Sequence, residues 1–110
     1  MIPKTFDMAG RKWTVQFLDQ EAAEKHYGGH HDDLDGGGLC SVRSAVQYII
    51  DRDGYESGFY EVTHFHEVIH AIFYAMGYEV GEGPHTELIV DGMAHYLHQY
   101  MKSKKGKVEV

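Results

Sequence analysis

The sequence predicts a small α+β domain. A strand-like alternation at the start gives way to two helical periodicities in the second half. Trp13, Val15 and Phe17 alternate with Thr14 and Gln16, the period of a half-buried strand. Apolar residues then recur at helical spacing through residues 58–76 and again through 84–101. A chain of 110 residues has room for one core of this kind. The expected architecture is a small antiparallel or mixed sheet of about three strands, packed on the first long helix, with one further C-terminal helix.

Lys4 to Leu18 reads as a β-hairpin that turns at Ala9-Gly10-Arg11. Asp19 to Tyr27 is polar and fits a short helix or a loop. The glycine-rich segment Gly28 to Gly38 follows, and its five glycines argue against regular structure. Val46, Tyr48 and Ile50 mark a third strand near Ala45–Asp51. Residues 52–57 are turn-like.

The first long helix is expected over Gly58–Met76, with Gly77 ending it. Val62, Phe65, Ile69, Ile72, Phe73 and Met76 fall on one stripe, and Val68, Ala71 and Ala75 lie round the other side. A helix this apolar should be covered by the sheet on one side and the second helix on the other. Pro84 fits the first turn of that second helix. Its buried side is expected to be Ile89, Val90, Met93, Leu97, Tyr100 and Met101. Residues 1–102 form one domain in this reading, and 103–110 a flexible basic tail.

Composition narrows the partners. Seventeen acidic against ten basic residues give a net charge of −7. Four of the ten cations lie in the last nine residues. Polyanion binding begins with cationic neutralisation of phosphate, so no nucleic-acid partner and no anionic membrane are expected. The first residues lack an apolar signal-peptide core, and no stretch has the ~18 apolar residues of a membrane span. A lone cysteine, Cys40, cannot pair within the chain and reads as a small buried hydrophobe. These features predict a cytoplasmic protein.

Histidine is over-represented, with nine residues, which directs attention to metal binding. The first helix contains His66-Glu67-Val68-Ile69-His70, an H-E-x-x-H pattern. Residues four apart differ by ~40° around a helix and stand one turn apart, so both imidazoles can reach one ion. Glu67 projects to the side, where it can hold a water and take its proton. A plain amphipathic helix with two satisfied histidines is the alternative.

Catalytic zinc usually has three protein ligands. Glu87 and Asp91 share a face of the second helix, and antiparallel packing would bring Glu87 to His66 and His70. Asp91 could then accept the outer ring N–H of a ligand histidine. Asp91, His85 and His95 are the other available third ligands, and a solvated helix face is the bland reading of Glu87 and Asp91. His30-His31-Asp32-Asp33 could bind a second metal or form a lid, but such a segment more commonly forms a solvated polar loop. Tyr27, Tyr78 and Tyr96 are available as hydrogen-bond donors to an oxyanion.

HEVIH followed by Glu87-Leu-Ile-Val-Asp91 resembles the gluzincin branch of the zincin metallopeptidases. There an H-E-x-x-H helix is completed by the Glu of an E-x-x-x-D pattern on a following helix. The overall plan is similar to very small phage and prophage metallopeptidase-like proteins. The resemblance implies a minimal zincin-like fold and one Zn2+ per chain, with His66, His70 and Glu87 as ligands. It also implies Glu67 as general base, Asp91 orienting a ligand histidine, and a peptide or protein substrate. Zinc is favoured over manganese or iron by the motif.

Two departures stand out: only 16 residues separate His70 from Glu87, and no second lobe is present to wall a cleft. The metzincin pattern fails, because it requires Gly at Phe73 and His at Met76. The function expected is zinc-dependent peptide hydrolysis. The competing expectations are a zinc-stabilised binding module without turnover and a metal-free interaction domain.

Overall fold

The computed structural model describes residues 2–26, 38–51 and 56–109. Tyr27 and the His30-His31-Asp32-Asp33 cluster lie outside the described residues. The elements run β1 (Thr5–Met8), β2 (Arg11–Asp19), α1 (Gln20–His26), β3 (Gly38–Ser41), β4 (Val46–Asp51), α2 (Ser57–Ala75) and α3 (Glu87–Ser103). The fold is α+β, with a four-stranded mixed sheet.

Strand order is β1-β2-β4-β3. The outer pairs β1–β2 and β3–β4 are antiparallel, while the central pair β2–β4 is parallel. Ala9 and Gly10 turn the hairpin with positive φ at both positions, 53° and 75°, the signature of a tight turn matched to strand twist. One strand more is present than the sequence predicts. β3 begins on Gly38, the last glycine of the segment expected to lack regular structure, and Leu39, Cys40 and Ser41 continue it against Tyr48, Gln47 and Val46. The central strand β4 is buried on both faces from Gln47 to Ile50.

Two cores flank α2. On the sheet side, Ala71 packs with Trp13 and Ala45, and Phe6, Met8, Cys40 and Val42 surround them. On the other side, Ile69 and Phe73 pack against Val90 and Ala94 of α3, with Val62 and Phe65 beside them. A smaller cluster joins Ala23 of α1 to Ile50. The helix ends where expected. Gly77 takes φ 94°, Tyr78 N–H donates to Phe73 C=O, and Gly77 N–H donates to Tyr74 C=O, a left-handed glycine termination.

α3 departs from its sequence reading in two ways. It starts at Glu87 rather than Pro84, because Thr86 is its N-cap and accepts from the Ile89 N–H at 3.3 Å. Its buried side is also narrower. Val90 and Ala94 are fully enclosed, whereas Ile89, Met93, Leu97, Tyr100 and Met101 are exposed. Ile72 and Met76 of α2 are exposed as well. Alanine at position 94 lets the helices approach closely along one line, and side chains to either side of that line stay outside. Residues 104–109 follow α3 without helix or strand. Among the described residues, no helix is long and apolar enough to cross a membrane.

Candidate metal centre

α2 and α3 are antiparallel: His98 and Lys102, near the end of α3, reach Glu61 in the second turn of α2 at 3.4 and 3.3 Å. That packing brings the second half of α2, with His66 and His70, to the first residue of α3. Glu87 Oε2 lies 3.1 Å from His66 Nε2, and Glu87 Oε1 lies 3.0 Å from His70 Nε2. The two ring nitrogens are 3.2 Å apart. Glu87 lies in the first turn of α3, where the helix dipole suits an acidic side chain.

Each imidazole has a second contact on its far side. His66 Nδ1 faces Asp91 Oδ1 at 3.5 Å, a longer approach than the hydrogen bond the sequence leads one to expect. His70 Nδ1 lies 2.7 Å from His85 Nε2, and His85 Nδ1 lies 2.9 Å from the Tyr78 carbonyl. His85 is wholly buried and sits behind His70 rather than beside Glu87. His95 is turned back along its own helix toward the Asp91 carbonyl, 3.1 Å away. Of the alternative third ligands, neither His85 nor His95 therefore faces the imidazole pair. The sequence could not direct His85, because it precedes the helix and no helical phase sets its direction.

Glu67 is buried at 5% exposure. It belongs to a group with His66 and His70 in which one ligand atom from each lies within 4.8 Å of the others. Glu87 meets both imidazoles at 3.0–3.1 Å, and Glu67 is the buried carboxylate beside them. Burial, reinforced by the charge of Glu87, pushes the Glu67 carboxyl up to about 8. Burial lowers His70 below the ordinary imidazole range; His66 and His85 add to this and Glu87 opposes it. Burial and the charge of Glu67 push the Cys40 thiol up to about 12, which leaves it a packing residue rather than a nucleophile.

Two nitrogens and a carboxylate suit zinc chemically. Donors ~2.0–2.1 Å from a tetrahedral ion stand roughly 3.3 Å apart. His66 Nε2 and His70 Nε2 stand 3.2 Å apart, near that edge length, and each has a Glu87 oxygen within 3.1 Å, so the donor set present fits the ion.

A groove of about 1000 Å³ opens over the cluster, between β3 and the two helices. Gly38, Leu39 and Cys40 line one side, and Phe59, Val62 and Tyr74 also contribute. At Gly38 a β-carbon would lie 2.4 Å from the Tyr48 carbonyl oxygen, 3.0 Å from Thr63 and 3.4 Å from Glu67. Only glycine lets β3 press this closely on α2. Among the described residues Tyr74 is the tyrosine in the groove lining, and sequence reasoning missed it. Burial, with the nearby charges of Glu79, Cys40, Glu67 and Glu87, raises its phenol above the usual range and keeps it protonated. Of the tyrosines singled out by sequence, Tyr96 is highly exposed, and Tyr78 contributes its backbone carbonyl.

No family model, no curated protein and no solved structure matches this chain. The reading of the site therefore stands on its own geometry.

Proposed function

We propose that this chain is a zinc-dependent metallopeptidase, with His66, His70 and Glu87 as the metal ligands and Glu67 as the general base. One observation carries the reading. Two imidazole nitrogens 3.2 Å apart each meet a different oxygen of one carboxylate, at 3.1 and 3.0 Å, while the outer nitrogen of His70 is engaged by His85. Lone pairs gathered in this way repel unless a proton or a metal cation is shared among them, and a site of two imidazoles and a carboxylate suits the metal.

Zinc held there supplies Lewis acidity toward a carbonyl and makes a water acidic near neutral pH. Glu67 accepts the proton of the attacking water on a carboxylate oxygen, then delivers it to the leaving amine. Its buried position keeps bulk water from competing for that proton. Tyr74 donates its phenol hydrogen to the developing oxyanion. The substrate lies extended in the groove. Among the described residues, β3 pairs only with β4, so its outer edge can take a peptide strand by main-chain hydrogen bonds. Phe59 and Val62 offer an apolar contact for a substrate side chain.

The test uses protein purified without a histidine tag. Elemental mass spectrometry should find one zinc per chain in wild type, and His66→Ala should lose it. A peptide library should be cleaved by wild type, and Glu67→Gln should keep zinc but lose activity by about 10²–10⁴-fold or more. Full activity in Glu67→Gln would remove Glu67 from the mechanism. Zinc without any cleavage by wild type would identify a binding module instead.

A further inference from the structure

We propose that His85 is a positioning residue that fixes the tautomer of His70, through a three-member chain running from the Tyr78 carbonyl to the metal-facing nitrogen. The chain starts at a group whose role is not in question. A backbone carbonyl only accepts, so His85 Nδ1, 2.9 Å from Tyr78 O, carries a hydrogen. His85 is 0% exposed, and Tyr78 and His70 are its two side-chain hydrogen-bond partners. In the neutral form of the ring that is the one hydrogen on nitrogen. Its Nε2 is therefore a bare lone pair.

His70 Nδ1 lies 2.7 Å from that lone pair. Two nitrogens at this distance share one hydrogen, and it belongs to His70 Nδ1. His70 Nε2 then has no hydrogen, and it is this atom that faces Glu87 at 3.0 Å and His66 at 3.2 Å. Without the chain a neutral imidazole is free to carry its hydrogen on Nε2, where it would block a cation. The usual partners for the outer nitrogen of a ligand histidine are a carboxylate, a carbonyl or water. Here a second imidazole stands between ligand and carbonyl.

The surroundings hold the chain in place. The rings of Tyr74 and Phe73 lie 4.8 and 5.2 Å from that of His85. The backbone of His85 is tied at both ends: its N–H donates to Glu82 C=O at 2.9 Å, and its C=O accepts from Gly81 N–H at 2.7 Å. Tyr78 is anchored by its N–H to Phe73 C=O, and its ring covers Gly83, where a β-carbon would come within 2.8 Å. The loop between α2 and α3 is thus the mount for a hydrogen-bond donor chain, and not only a connection. This inference rests on the metallopeptidase reading in one respect, the assignment of His70 as a ligand.

The experiment reads tautomers directly. Nitrogen–carbon-proton correlation spectra of 15N-histidine-labelled protein are recorded without zinc and with one equivalent of zinc. His85 should carry its hydrogen on Nδ1 in both, and His70 should carry one on Nδ1 in both. A His85 ring with hydrogen on Nε2 would overturn the proposal. Zinc affinity by chelator competition gives the second arm. His85→Phe should weaken binding about 10–100-fold. His85→Gln, whose carbonyl oxygen can accept from His70 Nδ1–H, should stay within a few-fold of wild type. Equal losses in the two variants would reduce His85 to packing and defeat the idea. If His85→Phe does not fold, the wild-type tautomers decide. Wild-type protein that takes up no zinc would count against the metal reading, while the tautomers in the metal-free protein still decide the chain.

Discussion

His64 and His70 lie six residues apart on α2, about 120° apart around the helix, and both are buried. They are satisfied in opposite ways. His64 faces the sheet, where its Nδ1 lies 2.6 Å from Gln47 Oε1 while Gln47 Nε2 donates to the His64 carbonyl at 3.1 Å. Each of the two side chains thus has a partner in the other residue. Burial pushes His64 down to about 4, so it stays neutral and the pair closes on itself. His70 spends its one hydrogen on His85, and its other nitrogen meets a carboxylate and a second imidazole. A buried histidine on an amphipathic helix is ordinarily the first kind. What marks a site is an excess of acceptors over hydrogens at one point.

The largest effect should come from truncating each histidine network in turn. His70→Leu should abolish stoichiometric zinc uptake, and it should also cost stability because it strands Nε2 of the buried His85. Gln47→Leu should cost stability alone. It strands the His64 N–H in a dry interface, costing about 1–3 kcal/mol, and leaves zinc content at one per chain. Urea denaturation with metal analysis on both variants separates the two sides. Loss of zinc in Gln47→Leu would show that the faces of α2 are not independent.

The sequence made one side of this contrast more legible than the other. The i, i+4 spacings of His66–His70 and Glu87–Asp91 survive any small error in helix bounds, because they depend only on both segments being helical. The left-handed termination was equally readable in Gly77. What could not be read is what depends on packing between elements. The α3 pattern has two apolar stripes, and only the close approach of Val90 and Ala94 to Ile69 and Phe73 chooses between them. β3 was hidden because the signal at Gly38 is one of steric room against Tyr48 and Thr63, not of propensity. His64–Gln47 joins residues 17 apart, on a helix and a strand whose packing against each other has no local signature. His85 has no helical phase to aim it.

A smaller effect separates the two sides by pH. Glu67 on the groove side has its folded value raised from 4.5 to about 8. The stability it contributes is complete below about 4.5 and is lost as pH rises through 8. His64 on the sheet side is lowered from 6.5 to about 4, so its stability is complete above 6.5 and is lost as pH falls. The two oppose each other between 4.5 and 6.5. Above 6.5 the slope belongs to Glu67. Metal-free wild type should therefore lose about 2 kcal/mol between pH 6.5 and 8, read as a falling urea midpoint. Glu67→Gln should be flat over that interval, and zinc should flatten wild type as well. An identical slope in wild type and Glu67→Gln, both metal-free, would break the link between the acid and the groove.

The smallest effect concerns the two ligand histidines themselves. His70 is backed by a buried imidazole at 2.7 Å, whereas His66 is backed by Asp91 at 3.5 Å, with that carboxylate 60% exposed. Asp91 also lies 3.8 Å from His95 Nδ1, so its charge is shared and largely screened by water. Asp91→Asn keeps an oxygen facing His66 Nδ1 and removes only that screened charge. Zinc affinity should fall about threefold or less, under 1 kcal/mol, against the tenfold or greater loss expected for His85→Phe. The order of the two losses is what matters. If Asp91→Asn proved the costlier change, the exposed carboxylate would be the principal support of the site, and burial would not be what makes one outer contact stronger than the other.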